Sequence, residues 1–240
     1  QGPCIWRPIS LCCAKLVLTL CTGLIETHSC RGLIMTVACT GVILAGGQNK
    51  RFGGQNKAFI RIGGRRIVDR LLDTYRRLFE QVVLVTNDPA AYMDVDALIV
   101  SDHYPDRSSL NGLHAGLFAA EQEFAFFTAC DAPFARPELI RCVLDHIDPK
   151  ADIVMPSTSA GFEPMFAVYR KTCLPAMAHQ LEQGLLKIQG LFRKVRVKTV
   201  DEDVLRQADP ELISFFNINT PEDFKRAENI EYFFVGEIRT

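Results

Sequence analysis

The chain has 240 residues, 48% of them hydrophobic and 23% charged, and 27 basic against 28 acidic side chains leave a formal net charge of −1. That composition excludes intrinsic disorder, and near neutrality excludes a protein that grips nucleic acid through a broad basic surface. A chain this long buries roughly 70% of the surface its unfolded form exposes, so its core needs no disulfide or metal staple.

The first 34 residues differ from the rest. Five of the nine cysteines (Cys4, Cys12, Cys13, Cys21, Cys30) fall there, and residues 11–25 form an apolar run interrupted by Lys15. The run is shorter than the ~20 residues of a membrane span, and no small-residue cleavage site marks it as a signal peptide. The expectation is a poorly structured or misassigned extension over 1–34. The working domain would then cover 35–240, opening at Met35. The other four cysteines (Cys39, Cys130, Cys142, Cys173) lack CxxC spacing and read as reduced thiols of a cytoplasmic protein.

From Met35 onward, strand and helix patterns alternate. Residues 36–45 (TVACTGVILA) are a β-rich run ending in Gly46-Gly47, and a glycine- and charge-rich loop continues to Lys57. Residues 65–79 carry Ile67, Leu71, Leu72, Tyr75 and Leu78 at helical spacing. Strands are predicted over 82–86, 97–100, 124–129 and 152–155, with helices over 110–121 and 137–147. Beyond these, 164–169, 195–200 and 215–218 read as strands, and 172–183 and 185–193 as helices. Pro221 opens a closing helix as a first-turn proline. Thr220 is its predicted N-cap, with Asp223 as the carboxylate of a capping box. The alternation predicts a three-layer, Rossmann-like α/β sandwich with a mostly parallel sheet, in one domain.

Ligands of open α/β sheets sit beyond the carboxyl ends of the strands, and three predicted strand ends carry Gly46-Gly47, Asp102 and Asp131. The loop LAGGQNKRFGGQNK (residues 44–57) sets four glycines beside Lys50, Arg51 and Lys57. Glycines let backbone N–H groups approach phosphate oxygens. Arginine and lysine supply bidentate and point-charge contacts. The loop is neither a Walker A loop nor GxGxxG. Asp131, at the end of an apolar strand and before Pro133, is placed to hold magnesium through one or two direct bonds, and Asp102 to orient a second part of the ligand or metal. Turn or cap chemistry would also place aspartates there. Asn217 and Asn219, on alternate positions at the end of the short strand predicted at 215–218, suit either turn chemistry or hydrogen bonds to a polar ligand. Residues 108–114 open a helix whose N-terminus suits an anion. His114 and Met165 read as packed residues.

The loop string, the strand-end aspartates, CDAP and NINTPED together resemble the molybdenum cofactor guanylyltransferases (MobA-type, molybdopterin-guanine dinucleotide synthases) over about residues 40–228. The resemblance implies a nucleotidyltransferase that moves GMP from GTP to the phosphate of molybdopterin or its molybdenum form, with Mg2+, giving the guanine dinucleotide cofactor and pyrophosphate. It implies contacts of Leu44, Ala45, Gly46, Gly47 and Asp102 with the guanine nucleotide and of Lys57 with its phosphates. Arg51 and Gly54 would lie near the reacting phosphates, with Arg51, Lys57 and Asp131 catalytic. Asp131 would hold the metal and touch the nucleotide, and Asn217 and Asn219 would line the pterin side. Gly46 favours guanine, because related cytidylyltransferases resemble LAAG. The implied partners are GTP, molybdopterin, other molybdenum-cofactor biosynthesis proteins and acceptor molybdoenzymes, with no nucleic acid and no membrane. A CTP- or sugar-phosphate-dependent nucleotidyltransferase of the same fold, and a non-catalytic GTP-binding accessory protein, are the alternative readings. Phe52 and Asn56 replace the family's usual Met and Asp, and GLHAG (residues 112–116) replaces GPLAG.

Overall fold

A computed structural model of the chain describes residues 38–46 and 56–237. The expectations for residues 1–34, and those for Gly47, Arg51 and Gly54, fall outside the described residues. In chain order the elements are β1 (Cys39–Leu44), a 3-10 turn (Lys57–Phe59), β2 (Arg61–Ile62), β3 (Arg65–Arg66), α1 (Ile67–Arg76), β4 (Val82–Val85), β5 (Leu98–Val100), α2 (Ser109–Ala119), β6 (Phe124–Ala129), α3 (Pro137–Asp145), β7 (Ile153–Thr158), β8 (Gly161–Phe162), β9 (Ala167–Arg170), α4 (Leu174–Glu182), β10 (Val197–Asp201), α5 (Glu202–Ala208) and α6 (Pro221–Glu237). Residues 36–240 make one compact unit.

The main sheet runs in the order β10-β7-β9-β6-β1-β4-β5, with β8 paired to β7. Every pairing along it is parallel except those of β9, which lies antiparallel between β6 and β7. The predicted, mostly parallel sandwich is therefore present. The strand reversal at β9 has a consequence for the site. The carboxyl ends of β1, β4, β5, β6, β7 and β10 share one edge, and the residues that lead into β9 arrive at that same edge.

Two apolar layers cover the sheet. Ile43, Leu84, Phe126, Val154 and Val168 face one core with α1 and α3. Val42, Val83, Ala125, Phe127, Ile153 and Ala167 face the other with α2 and α4. Adjacent residues of one strand thus enter opposite cores, which explains strands that read as continuous apolar runs. The spacing in α1 buries Ile67, Leu71, Leu72 and Tyr75, as predicted.

Several elements differ from expectation. The short strands β2, β3 and β8 are not marked by the pattern, and Arg65–Arg66 pair with β2 instead of opening α1. Residues 185–193 form a 3-10 segment, Ile188–Arg193, rather than an α-helix. Residues 215–218 are not a strand. The Phe216 N–H closes a 3-10 turn on the Ile213 carbonyl, and the Ile218 N–H donates to the Asp131 carbonyl (both 2.9 Å), so these donors are spent outside any ladder. Helix α5 is not marked by the strand and helix pattern. Its seven residues bury only Leu205, too little apolar periodicity to register. The capping box of α6 is formed: Thr220 Oγ1 accepts from the Asp223 N–H (3.1 Å), and Asp223 Oδ2 accepts from the Thr220 N–H (2.9 Å).

Helix α2 rests directly on the sheet at Gly116, where a Cβ would lie 2.5 Å from Val42 Cγ1 and 2.9 Å from the Phe127 ring. Gly116→Val overpacks this contact and is expected to destabilise the fold by about 2–3 kcal/mol. Urea unfolding measures it, and an unchanged midpoint would show that the helix can lift off the sheet without cost.

Candidate active site

A cavity of about 440 Å³ opens along the carboxyl edge, and its walls include Gly46, Lys57, Asp102, Asp131, Glu163 and Asn217. Leu44 also lines it, and the neighbouring Ala45 is buried behind it. The register of the parallel strands places these residues. The Ala45 N–H donates to the Val85 carbonyl (2.8 Å) and the Cys130 N–H to the Leu44 carbonyl (2.9 Å), so the chain leaves β1 and β6 side by side.

Lys57 connects the glycine loop to the strand end. Its Nζ lies 3.9 Å from Asp131 Oδ2 and donates to Asn219 Oδ1 at 2.9 Å. The lysine sits at the start of a 3-10 turn whose N-cap is Asn56, with Oδ1 accepting from the Ala58 N–H (3.1 Å). Asn56 Nδ2 also donates to the hydroxyl of buried Tyr92 (2.9 Å). The same hydroxyl lies 3.3 Å from Asn56 Oδ1, to which it can donate in turn. Asn56 thus caps the turn and ties it to Tyr92, which fixes the base of Lys57.

Asp131 is half-buried, and burial raises its pKa above the usual aspartate value, with Lys57 opposing the rise. Asp102, at the far end of the cavity, is raised by burial as well. The Asn87 hydrogen bond, Arg107 and His103 pull it back. Asn87 Nδ2 donates to Asp102 Oδ2 (2.8 Å), and the Asp102 N–H donates to Asn87 Oδ1 (3.3 Å). Between them the entry of α2 faces the cavity through Ser108, Ser109 and Gly112, and Ser108 Oγ caps the helix by accepting from the Asn111 N–H (3.1 Å). A Cβ at Gly112 would come within 3.3 Å of Leu44 Cδ2 and 3.8 Å of Asp102 Oδ1. The glycine keeps this wall open.

The structure thus brings Leu44, Gly46, Lys57, Asp102, Asp131 and Asn217 to one cavity, with Asn219 attached through Lys57. Both asparagines are exposed on either side of buried Ile218, so they do share a face although no strand holds them. Met165, read as packed, is half-buried against the α2 and α4 core and also lines the cavity. His114 is buried in α2, as read. Asn87, Arg107 and Glu163 escaped the sequence reading. Asn87 follows β4, so the strand-end rule applied to that strand would have found it. The described cysteines Cys39, Cys130, Cys142 and Cys173 are all free thiols.

The carboxyl edge of an open parallel α/β sheet, here holding a loop lysine beside a strand-end aspartate, is where ligands of such folds bind. Residues 41–199 match the MobA-like NTP transferase domain, and the chain belongs to that family of enzymes. It is 43% identical over 185 residues to a molybdenum cofactor guanylyltransferase of Desulfosudis oleivorans, covering 77% of this chain and 92% of that one. A probable molybdenum cofactor guanylyltransferase of Natranaerobius thermophilus is 36% identical, with the same coverage. Among solved structures, molybdopterin-guanine dinucleotide biosynthesis protein A from Archaeoglobus fulgidus superimposes with a TM-score of 0.69 at 30% identity, covering 80% of this chain and 97% of that one.

Asn87→Ala removes the only side-chain donor bonded to Asp102 among the described residues. Affinity for a nucleoside triphosphate is expected to fall about tenfold, the scale of one hydrogen bond to a charged group. Calorimetric titration checks this, and unchanged affinity would show that Asp102 holds its place unaided.

Proposed function

We propose that the protein transfers GMP from GTP to the phosphate of molybdopterin or its molybdenum form, yielding the guanine dinucleotide cofactor and pyrophosphate. The observation that carries this is the gathering of Gly46, Lys57, Asp102 and Asp131 on one cavity, because these are the residues through which the chain resembles the guanylyltransferases. The identity of the relatives supports the substrates, and Gly46 in LAGG supports guanine over cytosine.

In this reading the nucleotide lies over β1, β4 and β5. Leu44, Ala45, Gly46 and Gly47 present backbone groups to it, and Asp102 holds its sugar or base end. The acceptor phosphate attacks the α-phosphorus, the bond from the α-phosphorus to the bridging oxygen breaks, and pyrophosphate leaves with that oxygen. The acceptor phosphate is already ionised at neutral pH, so no side chain need remove a proton. The difficulty is charge, since two anions must meet. Lys57 donates to phosphate oxygens, and Arg51 and Gly54 act beside the reacting phosphates. Asn217 and Asn219 line the acceptor side, and Asn219 also orients Lys57.

Asp131 suits a magnesium ion, which takes one or two carboxylates and completes its shell with water and substrate phosphates. Its carboxylate faces the cavity and is only partly balanced by an ammonium 3.9 Å away. Bound there, magnesium would neutralise charge on the triphosphate. The free thiols suit a cytoplasmic enzyme. No helix among the described residues is long and apolar enough to cross a membrane. Other molybdenum-cofactor biosynthesis proteins and acceptor molybdoenzymes are the expected partners.

Pyrophosphate release is expected with GTP, magnesium and molybdopterin together, and not when molybdopterin is omitted. Faster turnover with CTP would contradict the guanine assignment. Asp131→Asn is expected to lower kcat on the order of 100-fold or more. Unchanged turnover would remove the metal role of Asp131.

A further inference from the structure

Glu163 is the acid of the cavity for which the transfer reaction gives no task. It precedes β9, whose antiparallel course delivers it to the same edge as Asp131. Its backbone is pinned. The Glu163 N–H donates to the Pro156 carbonyl (3.1 Å), its own carbonyl accepts from the Phe166 N–H (3.0 Å), and the Tyr169 hydroxyl donates to the Pro164 carbonyl (2.8 Å). The carboxylate itself is half-buried, and burial alone raises its pKa. No hydrogen bond or neighbouring charge among the described residues compensates it. A half-buried carboxylate without a partner is unfavourable. Held rigidly in a binding cavity, it suits a ligand that brings the donors.

Position selects the ligand. Gly46 and Asp102 lie at β1 and β5, on one side of Asp131, and Glu163 lies on the other side, beyond β6. A nucleotide over the first half, reacting near Lys57 and Asp131, leaves the second half to the acceptor. The acceptor of the proposed reaction carries a 2-amino-4-oxo pteridine ring. Its ring N–H and exocyclic amino group are adjacent donors that match the two oxygens of a carboxylate. Met165, two residues on, is half-buried and lines the same wall, offering the thioether face that packs against aromatic rings.

We propose that Glu163 is a specificity-determining residue that reads the amino-oxo edge of the acceptor pterin through paired hydrogen bonds, with Met165 against the ring. This inference rests on the molybdopterin reading of the site. It makes the choice of acceptor a property of the β8–β9 connection and separates it from the choice of nucleotide at β1 and β5.

The test uses the full chain and the variants Glu163→Ala, Glu163→Gln and Glu163→Asp. In steady-state transfer, Glu163→Ala is expected to raise the KM for molybdopterin roughly ten- to a hundredfold, the scale of hydrogen bonds to a charged group. The KM for GTP and the magnesium dependence should hold their wild-type values. Glu163→Asp should recover more of the loss than Glu163→Gln, whose amide offers one acceptor oxygen. A rise in the GTP KM or in the magnesium requirement would overturn the proposal, by making Glu163 a nucleotide or metal residue. So would an unchanged molybdopterin KM.

A binding arm does not depend on turnover. Competition between 6-hydroxymethylpterin and 6-hydroxymethyllumazine, which has a 2-oxo group in place of the 2-amino group, should favour the pterin on wild type and lose that preference in Glu163→Ala. Equal preference in both proteins, or no pterin binding by wild type, would overturn the proposal. If wild type binds GTP but transfers no GMP to molybdopterin, the functional reading fails. Glu163-dependent pterin preference in that protein would still uphold the edge recognition.

Discussion

The pairing of Lys57 with Asp131 at the carboxyl edge of the sheet organises the site. The lysine ends a glycine-rich loop and the aspartate ends the central strand β6. At 3.9 Å they neither neutralise each other fully nor stand apart. In the proposed reaction each keeps a share of its charge for the substrate, the ammonium for phosphate oxygens and the carboxylate for a metal ion. Asn219 takes a further donor of the same ammonium. Asn219 lies just after Ile218, whose N–H is bonded to the Asp131 carbonyl. A loop, a strand end and the approach to α6 are thus tied at one point.

The sheet supplies the geometry that this tie requires. Six strands point the same way, so six carboxyl ends share one edge, and the two apolar layers fix those ends with little freedom. The reversed strand β9 adds a different kind of residue. Because β9 runs antiparallel, the turn before it supplies Glu163 and Met165 to the edge where the parallel strands end. The two halves of the cavity then differ in chemistry: glycines, Asp102 and an α2 N-terminus on one side, and on the other the Glu163 carboxylate, without a partner among the described residues, and a thioether. That asymmetry suits an enzyme joining two unlike anions.

Much of this was legible in the sequence because it follows local rules. Apolar runs of four to six residues ended where Gly46, Asp102 and Asp131 stand, and the sheet places all three where ligands of such folds bind. The periodicity of α1 and the capping box of Thr220 and Asp223 were equally local. What escaped depends on pairing. Nothing in residues 163–170 tells whether the strand runs with or against its neighbours, so neither Glu163 nor the cavity-facing side of Met165 could be placed at the edge. Residues 215–218 have strand composition, but the Ile218 donor goes to Asp131 and not to a ladder. Asn87 sat in a turn signal, Asn-Asp-Pro, whose ordinary meaning hid its bond to Asp102.

The most direct test of the central claim is a crystal structure with magnesium and a non-hydrolysable GTP analogue. The account predicts the triphosphate between the loop of residues 46–57 and Asp131, with Lys57 Nζ within hydrogen-bond distance of a phosphate oxygen and the guanosine toward Asp102. A nucleotide bound elsewhere, or one whose phosphates touch neither Lys57 nor a metal on Asp131, would contradict it.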